Sequence, residues 1–229
     1  LTYGPYENPF PPQPALAAAQ EDPSPFFRVE DQQRLPGYSA TMAGLYETWG
    51  VSPIKPKRTA RFEDRVPNTR RWELLGVRYI TTWREGFKGL DGNPLAIEEA
   101  YRKGEPPEIT SAYRLPGTPR PAWIAHDITV APDRTTLFER LSDPGMDSFA
   151  QAVAEAPIDG IEPANGTEEL VTVVERTSQR LRFSVQLDAP GLLVVSQAHY
   201  LGWIARVDGR ATAIHVVDGM LPAVVVPAG

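Results

Sequence analysis

Apolar and polar residues alternate most cleanly over residues 180–187, where Leu181, Phe183, Val185 and Leu187 interleave with Arg180, Arg182, Ser184 and Gln186. A period of two predicts a strand with one buried and one solvated face. Strand-like runs at 169–176, 191–199, 203–208, 211–217 and 223–227 surround it. They recur every ~8–12 residues, the spacing of a sandwich or barrel. Asp208-Gly209 and Asp218-Gly219 punctuate the runs, and Asp-Gly suits the two positive φ angles of a type I′ hairpin turn.

The pattern differs before residue 165. Ala15 to Gln20 have room for one helical turn, and 26–30 read as a short strand. Met42, Leu45, Tyr46 and Trp49 have helical spacing, weakened by Gly44 and Gly50. Asn68 or Thr69 caps a predicted helix through Leu75 that Gly76 ends, and 77–82 follow as a strand. Asn93-Pro94 predicts a helix to Lys103, with Asn as cap and Pro at the first helical position. Further strands are predicted at 109–115 and 122–130, and further helices from Asp133 through Leu141 and over 147–155. The fold class is therefore α+β: a mixed α/β N-terminal part followed by an antiparallel β-sandwich, jelly-roll-like. Residues 1–25, with Pro5, Pro9, Pro11, Pro12, Pro14, Pro23 and Pro25, predict an extended arm or linker. Residues 26–160 form the mixed region and 161–229 the sandwich, which strands from 109–130 either complete or leave alone.

Composition narrows the function classes. The 24 prolines in 229 residues are about twice the usual share and argue against a helical bundle. Twenty-three basic and 29 acidic residues leave a net charge of −6, a poor general match to nucleic acid, so no nucleic-acid partner is expected. The absence of cysteine removes disulfides, thiolate nucleophiles and zinc–cysteine sites. No apolar run approaches the ~20 residues of a membrane helix. The chain starts at Leu1 without an initiator Met and stops just after Val224-Val225-Val226, which predicts a soluble piece of a longer protein.

Candidate chemistry is sparse. His126, His199 and His215 each sit in a strand-like run without a second ligand at metal spacing. The carboxylate pairs Glu63-Asp64, Glu98-Glu99 and Glu168-Glu169 are sequence neighbours, whereas a glycosidase needs two acids converging across a cleft. Asp91-Gly92-Asn93 lacks the rest of a calcium loop. No catalytic residue, metal ligand or cofactor is assigned. Two features remain. Lys55, Lys57, Arg58, Arg61, Arg65, Arg70 and Arg71 sit among only Glu63 and Asp64, a local excess of +5. They form either a face for anionic headgroups or phosphate or a solvated loop and helix face. Trp49, Trp72, Trp83, Trp123 and Trp203 are either core or, in part, a sugar-stacking platform. Tyr200, Trp203 and Trp83 are the ligand-binding candidates.

Several stretches resemble, in order, the YfhO family of bacterial multi-pass membrane proteins. Phe27-Arg28-Val29 is similar to its opening Phe-Arg-Val, and Leu74-Leu75-Gly76-Val77-Arg78-Tyr79-Ile80 to its Leu-Leu-Gly-Val-Lys-Tyr-Ile segment. Tyr113-Arg114-Leu115-Pro116-Gly117 and Pro119-Arg120-Pro121-Ala122-Trp123 resemble its Pro-Arg-Ala strand. His199-Tyr200-Leu201-Gly202-Trp203, Val207-Asp208-Gly209 and Val226-Pro227-Ala228-Gly229 resemble its Tyr-Pro-Gly-Trp turn, its Val-Asp-Gly hairpin and its Val-Pro-Ala-Gly end, with Leu201 where the family commonly has proline. The resemblance implies a parent related to GT-C glycosyltransferases, which use polyprenyl-phosphate sugars to modify envelope glycans, with its catalytic acids outside this chain. It makes this chain a non-catalytic domain on the extracytoplasmic face. Its partners would be its own membrane domain, the membrane surface and an envelope glycan or polyprenyl-phosphate sugar. The alternatives are a structural or protein-interaction module with no ligand, or a soluble glycan hydrolase.

Overall fold

The computed structural model describes residues 11–48, 55–105, 107–163, 169–177 and 179–229. It is mixed α/β with more strand than helix, arranged in several sheets. The chain forms two compact units, each discontinuous in sequence: Leu1–Pro53 with Leu75–Pro119, and Ile54–Leu74 with Arg120–Gly229. The expected division near residue 160 thus falls inside the second unit.

Over its described residues the first unit begins with a 3-10 turn, Pro14–Leu16, that runs into helix α1 (Ala17–Glu21). The segment expected to be a linker therefore folds over its described residues. Leu16 and Ala19 lie in a core with Phe27, Val29, Ala40 and Tyr79. Strand β1 (Arg28–Asp31) precedes the single turn α2 (Ser39–Met42), so the helix expected over 40–50 covers only its start, and Trp49 lies outside the described residues. Strand β2 (Val77–Thr82) is buried at every position. It pairs parallel to β1, with Val29 opposite Tyr79, and antiparallel to β4 (Thr110–Arg114), with Ile80 opposite Tyr113.

The sheet ends at β3 (Glu98–Lys103), antiparallel to β4. This overturns the helix predicted over 93–103. Asn93 does not cap a helix. Its amide N–H and side chain donate to the Asp91 carboxylate, and Leu95 N–H donates to the Phe87 carbonyl at 2.8 Å, closing a tight loop. Edge pairing with β4 then outweighs the helical propensity of Glu98, Glu99 and Ala100. The charged, exposed residues of β3 also suit a sheet edge that must not recruit another strand.

In the second unit, α3 (Lys57–Arg65) and α4 (Asn68–Leu74) are followed, among the described residues, by ten strands. Six form one sheet in the order β5-β10-β14-β13-β7-β6. They are β5 (Ala122–Ala125), β6 (Asp127–Val130), β7 (Gln151–Ala154), β10 (Gly191–Val195), β13 (His215–Val217) and β14 (Leu221–Val226). All neighbours are antiparallel except β6 and β7, which α5 (Arg134–Ser142) connects. Asp133 caps α5 as predicted, accepting from Thr136 N–H at 2.9 Å. The helix predicted over 147–155 is instead β7. Ala152, Val153 and Ala154 are at most 2% exposed, wedged between β6 and β13, and burial on both sides decides the conformation of this Ala-Val run.

Two hairpins complete the unit: β8 (Leu170–Arg176) with β9 (Leu181–Gln186), and β11 (Ala205–Val207) with β12 (Arg210–Thr212). Val171, Phe183 and Val185 of the first hairpin pack on Ala122, Ile124, Leu187 and Leu193. This is the buried face that the alternation at 180–187 announced. Both Asp-Gly pairs form left-handed turns, with φ of 49° and 79° at Asp208 and Gly209, and 49° and 81° at Asp218 and Gly219. Strands from 109–130 thus divide: β5 and β6 join the C-terminal sheet, and β4 does not.

Candidate functional site

The basic segment 55–71 occupies two helices with different fates. Thr59 and Phe62 of α3 turn inward, as does Val66 just after it. Lys57, Arg61 and Arg65 recur every four residues on the opposite face, and all three are exposed. Among the described residues none of the three has an ion-pair partner. Lys57 and Arg58 lie in the first helical turn, where no acid accompanies them. Cations there oppose the helix dipole, and Lys57 has no ion-pair partner among the described residues to offset this.

The other four basic residues hold the fold. Lys55 pairs with Glu63 at 2.7 Å. Arg58 pairs with Glu155 and donates to the Gly219 carbonyl at 3.1 Å. Arg71 donates to the Glu63 carbonyl at 3.0 Å and to Asn68 Oδ1, tying the two helices together. Arg70 is 2% exposed. It donates to the carbonyls of Leu141, Asp143 and Met146 at 3.0, 2.8 and 3.0 Å, to Glu73 at 2.7 Å and to Ser148 Oγ. The expectation that Arg70 faces a membrane is therefore corrected. The charge density that marks the segment in sequence is partly internal, because a buried guanidinium fork satisfies several carbonyls at once.

The aromatic candidates also separate. Trp72 and Trp123 are core, at 2% and 3% exposure, with Trp123 edge-on to Phe149 at 5.1 Å. Trp83 belongs to the first unit, with the Arg84 guanidinium 5.5 Å from its ring. Tyr200 and Trp203 belong to the second, so the three do not make one platform within a unit. Tyr200 is exposed and Trp203 half-buried, in the loop between β10 and β11. Two residues that sequence reasoning passed over dominate this loop: Leu201 is 98% exposed and Ile204 78%. Hydrophobic periodicity had no means of finding them, since it registers what a strand buries.

The loop and α3 meet at one turn. His199 N–H donates to the Met220 carbonyl at 2.9 Å, next to the Gly219 carbonyl that Arg58 holds. Partial burial, and then the Arg58 charge, lower the His199 pKa.

The fold shifts two carboxyl groups strongly, Asp22 and Asp218. Burial of Asp22 opposes its ionisation, but hydrogen bonds from Ser24, Tyr79 and Arg78 outweigh it and hold the carboxyl well below its usual range. Arg78 Nε lies 2.6 Å and Tyr79 Oη 2.7 Å from Asp22 Oδ2. Asp218 is wholly buried, and desolvation pushes it up to about 7 despite a hydrogen bond from Val153 N–H at 2.8 Å. His126 is engaged at both ring nitrogens, by the Glu162 carbonyl at 2.6 Å and by the Glu169 carboxylate. That partner lies 43 residues away, beyond any local motif. Among the described residues no three His, Asp or Glu side chains converge to hold a metal, and no helix is long and apolar enough to cross a membrane.

Comparison with protein-family models, curated proteins and solved structures yields no match.

Proposed function

We propose that this chain is a non-catalytic accessory domain on the extracytoplasmic face of a bacterial membrane, part of a glycosyltransferase-like protein of the kind the YfhO resemblance implies, and that it acts by resting its second unit against an anionic bilayer. The observation that carries the reading is the exposed stripe Lys57, Arg61 and Arg65, without ion-pair partners among the described residues of a chain whose net charge is −6. Each Lys or Arg near an anionic leaflet contributes about 1 kcal/mol of attraction.

A non-catalytic role is supported by the engagement of Asp22 in three hydrogen bonds, by the closure of Asp218 within the core and by the double engagement of His126. Each is fixed by the fold instead of facing a reactant. On the same reading the second unit is an open β-sandwich, antiparallel except at the β6–β7 pair, with the β8–β9 hairpin over β5 and β10. An envelope glycan or polyprenyl-phosphate sugar and the parent's membrane domain are the remaining partners in this proposal.

Sedimentation with phosphatidylglycerol vesicles tests it. Binding should fall as salt rises, because screening shortens the reach of exposed charges. The double change Arg61→Glu and Arg65→Glu should weaken it by about tenfold or more. Arg58 is unsuitable for this test because it holds Glu155 and Gly219. Absent or salt-insensitive binding would overturn the reading.

A further inference from the structure

We propose that the loop Tyr200–Ile204 is a bilayer-inserting tip, with Leu201 and Ile204 entering the boundary between headgroups and acyl chains. This rests on the reading that the cationic face of α3, in the same unit, meets an anionic membrane.

Leu201 and Ile204 expose 98% and 78% of their surface, and Tyr200 exposes 46%. Isolated exposed apolar residues need no explanation, but here they fall within five consecutive positions. The turn is set by Gly202 at a φ of 100°, and an added Cβ there would meet nothing within 4 Å beyond its chain neighbours, so the space beside the turn is open. Tyr200 and Trp203 supply the two aromatic types that favour a water–lipid interface.

Charge selects the occupant. The loop is rooted through His199 on Met220, one residue from the Gly219 carbonyl that Arg58 of α3 holds. Arg206 and Arg210 follow the tip in the β11–β12 hairpin, both exposed, against Asp208 alone. An apolar projection beside exposed cations matches an anionic bilayer, which combines surface charge with an apolar interior. A glycan fits less well. A sugar ring would stack on Tyr200 or Trp203, but Leu201 and Ile204 offer its hydroxyls no hydrogen bond.

The chain has no cysteine, so a single labelled thiol reports one position. Leu201→Cys and, separately, Lys57→Cys are labelled with an environment-sensitive fluorophore and mixed with phosphatidylglycerol vesicles. The expected result is a blue shift at 201, quenched by lipid brominated on its acyl chains, with the label at 57 remaining in a polar setting. In unlabelled protein, Leu201→Ser with Ile204→Ser should weaken vesicle binding by about tenfold or more, and the loss should persist in high salt. Both side chains are exposed, so circular dichroism should show an unchanged fold. Salt-sensitive binding without a blue shift at 201 overturns the inserting tip and leaves the electrostatic surface standing. Absence of all vesicle binding overturns both. A response at 201 to oligosaccharide, or to rising protein concentration without lipid, overturns the proposal in favour of a glycan site or a contact between copies.

Discussion

Arg70 Nε donates to the Leu141 carbonyl at 3.0 Å, across 71 residues of sequence. The bond caps the C-terminal end of α5, where carbonyls lack helical partners and a cation complements the dipole. Replacing Arg70 by Met would leave the carbonyls of Leu141, Asp143 and Met146, and Ser148 Oγ, without this donor. We expect a loss of about 3 kcal/mol or more, measured by urea denaturation of the second unit. Arg70→Lys should recover only part of it, because an ammonium cannot reproduce the planar fork. Refolded Arg70→Met protein should bind vesicles like the unaltered chain.

Asp22 gives the first unit a dependence on acid. Its folded pKa lies below the ordinary 3.8, so the unfolded chain takes up the proton first. The contribution to stability is present above that value and is lost progressively as pH falls below about 4. Asp22→Asn should cost about 3 kcal/mol at neutral pH and flatten this acid limb. Hydrogen exchange of the β2 amides, read from pH 3 to 7, checks both outcomes.

Asp218 has the opposite sign. Its folded pKa is raised from 3.8 to about 7, so the folded unit keeps a proton that the unfolded chain releases. Stability from this group is highest below about pH 4, declines as pH rises to about 7, and is flat beyond. Asn at 218 retains an oxygen for Val153 N–H and tolerates the left-handed backbone of the turn. Asp218→Asn should therefore remove the slope, and at pH 8 should stabilise the second unit by up to a few kcal/mol. A pH series of denaturation midpoints for the two proteins decides it.

Gly191 is required by its neighbours. A Cβ built there would lie 2.5 Å from Ile124 Cγ2 and 2.8 Å from His126 Cε1. Gly191→Ala should cost about 1–3 kcal/mol and displace the His126 ring from the Glu162 carbonyl. Denaturation measures the first effect, and the chemical shifts of the His126 imidazole report the second.

Local features of the fold were legible in sequence. The left-handed turns at Asp208-Gly209 and Asp218-Gly219, the cap at Asp133 and the strand at 77–82 each depend on a few neighbouring residues. The strands at 98–103 and 151–154 were not legible, because partners far along the chain decide them: β4 for the first, β6 and β13 for the second. The candidate surface was half legible. Charge density pointed to α3, but only packing separates exposed Arg61 and Arg65 from buried Arg70. Sequence reasoning chose Tyr200 and Trp203 for their rings, while the exposed residues beside them are Leu201 and Ile204.

Residues 54–74 lie in sequence between two stretches of the first unit yet belong to the second. During synthesis, Phe62, Trp72 and the Arg70 guanidinium leave the ribosome well before 141–148 and the strands from 120 onward that complete their unit. No single truncation yields either unit whole: a fragment from 120 onward lacks both helices, and one ending at 119 carries them without their core. The second unit's interior therefore closes only after the strands from 120 onward have been made, and a nascent chain must hold its first two helices uncommitted until then.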